Sequence, residues 1–208
     1  MSKRAAEILK PVNYFFSDAL ARYGAAHRAT DWPDPHQQIR RFAELSRLFD
    51  LSRPFDLLDY GCGYGALLDY LTSRGSPVAY WGYDISHAML AAARDNHKGM
   101  EDKFLAKLDK QTRYDYVVAS GIFNRKMDIP LEEWDDIVRK TIEEFNALSS
   151  RGFAFNMLTA YRDPQRKQPH LYYGDPLHWF DLCFRKYSPN ISLAHDYDLW
   201  DFTIIVRK

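Results

Sequence analysis

Residues 57–71, LLDYGCGYGALLDYL, carry the densest chemical signal in the chain. Gly61, Gly63 and Gly65 follow one apolar run and open another. Glycine lets a chain turn sharply as it leaves a strand, and lets backbone approach a ligand where a Cβ would collide. A bare βα turn rarely spends three glycines in five residues. The dinucleotide fingerprint, G-x-G-x-x-G, puts its third glycine five residues after the first, but here Gly65 comes four after Gly61. Asp59 stands just before the glycines on an otherwise apolar run, and a carboxylate there suits an ammonium group better than a pyrophosphate. Asp84 ends the next apolar run, 19 residues after Gly65. An acid in that position accepts both hydroxyls of a ribose, or it favours the dipole of the helix that follows. The two roles are compatible. Together the two carboxylates point to a nucleoside linked to an amino acid. Met89, one turn into the next helix, reads either as a surface against adenine or as core. Cys62, inside the turn, reads as packing, since a reactive thiol needs an exposed, electropositive site.

Such residues need a sheet to hold them. Apolar runs predict strands over Phe55–Tyr60, Val78–Tyr83, Lys103–Leu108, Tyr114–Ser120, Phe153–Leu158, Ile191–His195 and Phe202–Val206. Helical spacing predicts helices over Ala66–Arg74, from the Ser86 cap onward, over Leu131–Leu148 and over about Pro176–Tyr187. Alternation of strand and helix means βαβ units and a doubly wound, mostly parallel α/β sheet. The last two strands leave no room for a helix between them and must form an antiparallel hairpin. Ahead of the sheet, a helix is expected over about Tyr14–Tyr23. A second has Ile39, Phe42, Leu45, Leu48 and Phe49 on one face and Asp34 as its cap. Residues 1–36 are expected to be a helical cap, and 37–208 the ligand-binding domain.

Composition removes several function classes. The 208 residues carry 28 Lys plus Arg against 28 Asp plus Glu, so the basic excess of a general nucleic-acid binder is missing. Two cysteines cannot make a disulfide scaffold or a four-cysteine zinc site. The seven histidines show no metal-ligand spacing, so no metal is expected. No apolar stretch is long enough for a membrane span or a signal peptide. A cytoplasmic protein is expected, either monomer or homodimer.

At these residues the chain resembles the class I S-adenosylmethionine-dependent methyltransferases. FDLLDYGCGYG (55–65) is similar to their first motif and WGYDIS (81–86) to their second. YDYVVASGIFN (114–124) and GFAFNMLT (152–159) are similar to strands four and five, and ISLAHDYDLWDFTIIVRK (191–208) to the closing hairpin that separates this fold from NAD-binding folds. The resemblance implies a Rossmann-like seven-stranded sheet in the order 3-2-1-4-5-7-6, with strand seven antiparallel. It implies S-adenosylmethionine as cofactor. Asp59, Tyr60, Gly61, Cys62 and Gly63 would lie against its methionine part, with Asp59 on the ammonium. Asp84 would hold the ribose, Ile85 would pack on adenine, and Met89 would flank it. Ser120 and Gly121 would line the side near the sulfonium, and Lys107–Asp109 would fall near the adenine amino group. Trp32, between the two leading helices, is a candidate to touch cofactor or acceptor.

The family has no universal catalytic residue, because an activated methyl needs chiefly a nucleophile held in line. His195, beside Asp196, is a candidate base, and Asn124 and Tyr173 are further candidates. No proline-rich amine motif follows strand four, so oxygen is the expected acceptor atom. The acceptor is expected to be a small molecule or an envelope glycan precursor. The long loop at 160–176, with Arg162, Arg166, Lys167, His170, Tyr172 and Tyr173, suits an anionic one. A non-catalytic partner protein on the same fold is the alternative reading. A nicotinamide-dependent reductase fails on the glycine spacing and on the hairpin.

Overall fold

The computed structural model describes residues 7–208. Its sheet has seven strands: β1 (Phe55–Tyr60), β2 (Val78–Tyr83), β3 (Phe104–Leu105), β4 (Tyr114–Ala119), β5 (Ser149–Leu158), β6 (Ile191–Ala194) and β7 (Asp201–Arg207). They lie in the order β3-β2-β1-β4-β5-β7-β6. β7 runs antiparallel to both β5 and β6, and the other pairings are parallel. The expected α/β topology is the one observed.

The helices are α1 (Lys10–Tyr23), α2 (Pro35–Ser46), α3 (Ala66–Ser73), α4 (His87–Asn96), α5 (Leu131–Leu148) and α6 (Pro176–Lys186). Their starts are chemically marked. The side chains of Asp34, Ser86 and Asp175 each accept a backbone N–H from the first turn of α2, α4 and α6, which satisfies donors that have no helical partner. Alternate strand residues feed two cores. Leu57, Val118, Ala154 and Ile205 meet Phe42 and Leu45 of α2 and the apolar face of α3 on one side. Leu58, Val117, Phe153, Phe155 and Phe202 meet Trp134, Val138, Ile142 and Phe145 of α5 on the other.

Boundaries moved where the local pattern was thin. β3 keeps two residues of the expected six, because only Phe104 and Leu105 find partners, on Gly82 and Tyr83 of β2. Lys107–Asp109 therefore lies beyond the strand, and Asp109 closes a turn by accepting from Gln111 N and the Thr112 hydroxyl. β5 begins at Ser149 rather than Phe153, directly where α5 ends. Its first residues, SSRG, are polar and gave no strand signal. α1 begins at Lys10, with Pro11 in its first turn, where proline's missing N–H costs nothing. Residues 1–6, part of the expected cap, lie outside the described residues.

Candidate functional site

A cavity of about 1070 Å³ opens at the carboxyl ends of β1, β2, β4 and β5, where open α/β sheets bind ligands. Its volume is at the upper end of the range for a small-molecule site, enough for two ligands side by side. Of the residues singled out in the sequence, Tyr60, Gly61, Gly63, Asp84, Ile85, Met89, Ser120, Gly121, Asn124 and Trp32 line it.

The glycine turn is built by backbone hydrogen bonds from its neighbour. Gly61 N and Cys62 N both donate to the Tyr83 carbonyl, at 2.7 and 3.0 Å. Gly61 has a φ of +83°, and a Cβ there would overlap Cγ2 of Ile122. We expect Gly61→Ala to cost about 2 kcal/mol or more, from left-handed strain plus the clash. Thermal unfolding should then show a midpoint roughly 4 °C lower or worse; an unchanged midpoint would mean that the turn has slack.

Asp84 joins the two turns that follow β1 and β2. Its Oδ2 accepts from Gly63 N at 2.9 Å, and its Oδ1 from Ser86 N at 2.8 Å. A carboxylate has about four acceptor sites, so these donors do not exhaust it. Burial pushes the Asp84 carboxyl up, and the N–H groups of Ser86, Gly63 and Ile85 pull it back.

Asp59 and Cys62 are not on the large cavity. Both lie on a small recess of about 30 Å³ behind the glycine turn, which shares Thr30, Trp32, Gly61 and Ser120 with the cavity wall. The Tyr80 hydroxyl donates to Asp59 at 2.7 Å. Burial pushes the Asp59 carboxyl up to about 7, the Tyr80 bond opposes this, and Asp84 adds to it. Cys62 is buried, with its thiol pushed well up by burial, so it is packing rather than nucleophile.

Trp32 sits under the Arg41 guanidinium, 3.7 Å from ring centroid to cation. Its edge fills the space over Gly121, where a Cβ would come within 2.5 Å of the indole. α1 closes the cavity from above. The Ser17 and Ser86 hydroxyls are 3.1 Å apart, and Phe15 lies 3.7 Å from the Arg125 guanidinium, which pairs with Asp31 at 3.1 Å.

The three catalytic candidates separate. Asn124 lines the cavity; its Oδ1 accepts from Leu158 N at 3.0 Å, its carbonyl accepts from Tyr172 N, and its Nδ2 is buried without a partner. His195 is exposed beyond the end of β6, an edge strand that β7 separates from the cavity, with its ring 6.1 Å from Tyr161. The Tyr173 hydroxyl accepts from Gln168 N within its own loop. Neither of these two lines the cavity. Of the basic residues in that loop, Arg162 does, whereas Arg166, Lys167 and His170 do not.

Sequence reasoning missed an ion pair. Arg41 of α2 and Asp201 of β7 are 3% and 0% exposed and joined through Arg41 Nε. Asp201 is the first residue of β7, not part of the turn before it. The available signal was Arg41 on the same helical face as Phe42 and Leu45.

These features coincide with what comparison finds. The profile of the methyltransferase domain family matches residues 36–184. A Mycobacterium tuberculosis protein provisionally named methyltransferase Rv1506c is 46% identical over 165 residues, covering 78% of this chain and 98% of that one. Magnesium protoporphyrin IX methyltransferase from Synechocystis, solved with S-adenosylhomocysteine, superposes with a TM-score of 0.62 at 16% identity, over 98% of this chain and 97% of that one. The plantazolicin methyltransferase BpumL, solved with a pentazolic desmethylPZN analogue and S-adenosylhomocysteine, gives 0.57 at 13%, over 98% and 99%. At such identities the two structures speak for the fold alone. The chain belongs to the methyltransferase domain family. Among its described residues no helix is long and apolar enough to cross a membrane.

Proposed function

We propose that the chain transfers the methyl group of S-adenosylmethionine to an oxygen of a small-molecule acceptor, a metabolite or a glycan precursor, in the cytoplasm. The observation that carries this reading is Asp84. Its two oxygens are fixed by backbone donors of both turns, and the residue lines the cavity beside a glycine cradle. At Gly63 a Cβ would press on Thr30 at 3.2 Å and narrow that cradle. The residues fit a nucleoside joined to an amino acid.

S-adenosylmethionine supplies a methyl already activated on a sulfonium, so the protein's work is to hold the partners in line and exclude water. In this reading Asp84 accepts the ribose hydroxyls. Ile85 and Met89 flank the adenine, and the backbone of Gly61 to Gly63 lies along the methionine part. Asp59 sets the ammonium from its recess, and Ser120, Gly121 and Trp32 wall the transfer point. The unpartnered Nδ2 of Asn124 orients the acceptor by donating to it. His195 and Tyr173 have no part.

The test is calorimetric titration with S-adenosylhomocysteine, with NADH as comparison. Micromolar binding of the first alone is expected; preference for NADH, or binding of neither, rejects the reading. A pH effect follows from Asp59. Its carboxyl is raised in the folded protein, so in the free protein it favours the protonated state. The stability this contributes is present below the unfolded carboxylate range of about 4 and lost as pH rises through about 7. An ammonium beside it favours the carboxylate. Binding near pH 7 should release a proton, and affinity should rise between about pH 6 and 8. Titrations in buffers of different ionisation enthalpy check this, and Asp59→Asn should abolish the release.

A further inference from the structure

One end of the cavity lies away from the glycine turn, where β5 and β7 meet α2 and the loop after β5. Register pairs Leu158 with Asp201 there, so Asp201 stands beside the strand end that Asn124 holds. Three charged side chains converge at this wall. Asp201 is neutralised by Arg41, the pair is buried, and the Arg41 guanidinium stacks on Trp32. Arg162 completes the group, and its charge acts on Asp201 together with those of Arg41 and, less strongly, His195. Asp198, also on the cavity, is paired with Arg40 at 3.2 Å.

Beyond the Arg41 Nε–Asp201 Oδ2 contact, Asp201 Oδ1 and Arg162 Nε remain unmet. Arg162 has its Nε shielded from solvent and without a hydrogen-bond partner. The Trp200 ring lies against it, 5.7 Å from cation to ring centroid. Two guanidiniums face one carboxylate, so the wall carries one positive charge in excess. Leaving a donor of a charged group buried and unmet is costly unless a ligand meets it. The Nε edge of a guanidinium matches an oxyanion through two parallel hydrogen bonds. Trp200 is 45% exposed at the same rim, which leaves its ring free for an apolar or planar body.

We infer that this end of the cavity binds an oxyanion of the acceptor, a carboxylate or a phosphate monoester, with Arg162 as its ligand and Trp200 against the body that carries it. The inference rests on the methyltransferase reading and adds the class of acceptor. Arg41 and Asp201 position the wall, and Arg162 makes the contact.

The test uses the whole protein saturated with S-adenosylhomocysteine and titrated with benzoate, phenyl phosphate and benzyl alcohol. The readouts are calorimetry and tryptophan fluorescence. Millimolar binding of at least one anion, and weaker binding of the neutral alcohol, is expected. Arg162→Gln should weaken the anion at least tenfold while S-adenosylhomocysteine affinity stays unchanged, which also shows that the variant folds. Arg166→Gln, on the same loop but off the cavity, should leave anion binding unchanged. Tighter benzoate assigns a carboxylate, tighter phenyl phosphate a phosphate. The inference is overturned if S-adenosylhomocysteine binds and neither anion does, if the alcohol binds as well as the anions, or if Arg162→Gln binds them like the parent. Failure of S-adenosylhomocysteine itself to bind overturns the underlying reading and this assignment with it.

Discussion

Replacing Asp84 by alanine is expected to weaken S-adenosylhomocysteine binding by about 100-fold or more. Two charge-assisted hydrogen bonds to a ribose are worth about 1.5–3 kcal/mol each, and a 100-fold loss corresponds to about 2.7 kcal/mol. The same substitution also removes the acceptor for Gly63 N and Ser86 N, so the cradle loses its internal brace as well as its ligand contact. Asp84→Asn keeps one acceptor oxygen and should fall between the parent and the alanine variant. Calorimetry measures all three. An alanine variant with near-parental affinity would remove Asp84 from the ligand site.

Arg41→Ala is expected to have the largest effect on stability. Removing one member of a buried ion pair strands the other charge and costs about 3–5 kcal/mol. Here the group left would be Asp201, with no exposed surface and only the weaker influence of Arg162 and His195 upon it. The midpoint of thermal unfolding should fall by roughly 10 °C for a chain of this size. A double replacement, Arg41→Met with Asp201→Leu, should recover most of the loss, because well-packed apolar side chains often do as well as a buried pair. If the single variant unfolds within about 2 °C of the parent, the pair is hydrated in solution and does not hold α2 to the sheet.

The sheet was legible because β1, β2 and β4 are apolar runs ended by Gly61, Asp84 and Ser120, and each crossover helix has a distinct buried face. The glycine turn was legible for a related reason. Gly61, Gly63 and Asp84 lie within one βαβ unit, so their spacing in sequence fixes their spacing in space. The far end of the cavity was not. Arg41, Asp201 and Arg162 come from a helix before the sheet, the last strand and a loop, and no local spacing links them. His195 misled for the opposite reason: its neighbour Asp196 is close in sequence, but both follow an edge strand outside the cavity wall. β3 was overcalled because pairing with a single neighbour, β2, is too little to hold six residues extended.

The closure over the cavity has a kinetic consequence. α1 touches the β2 side through Ser17 and the β4 side through Phe15, so it bridges the mouth from wall to wall. Both polar ties are weak, a hydroxyl pair and a ring against a cation, and they add to the apolar packing of Val12 and Phe16. We expect the helix that covers the cavity to influence the residence time of the spent cofactor. Loosening Ser17 or Phe15 should shorten residence even where affinity changes little.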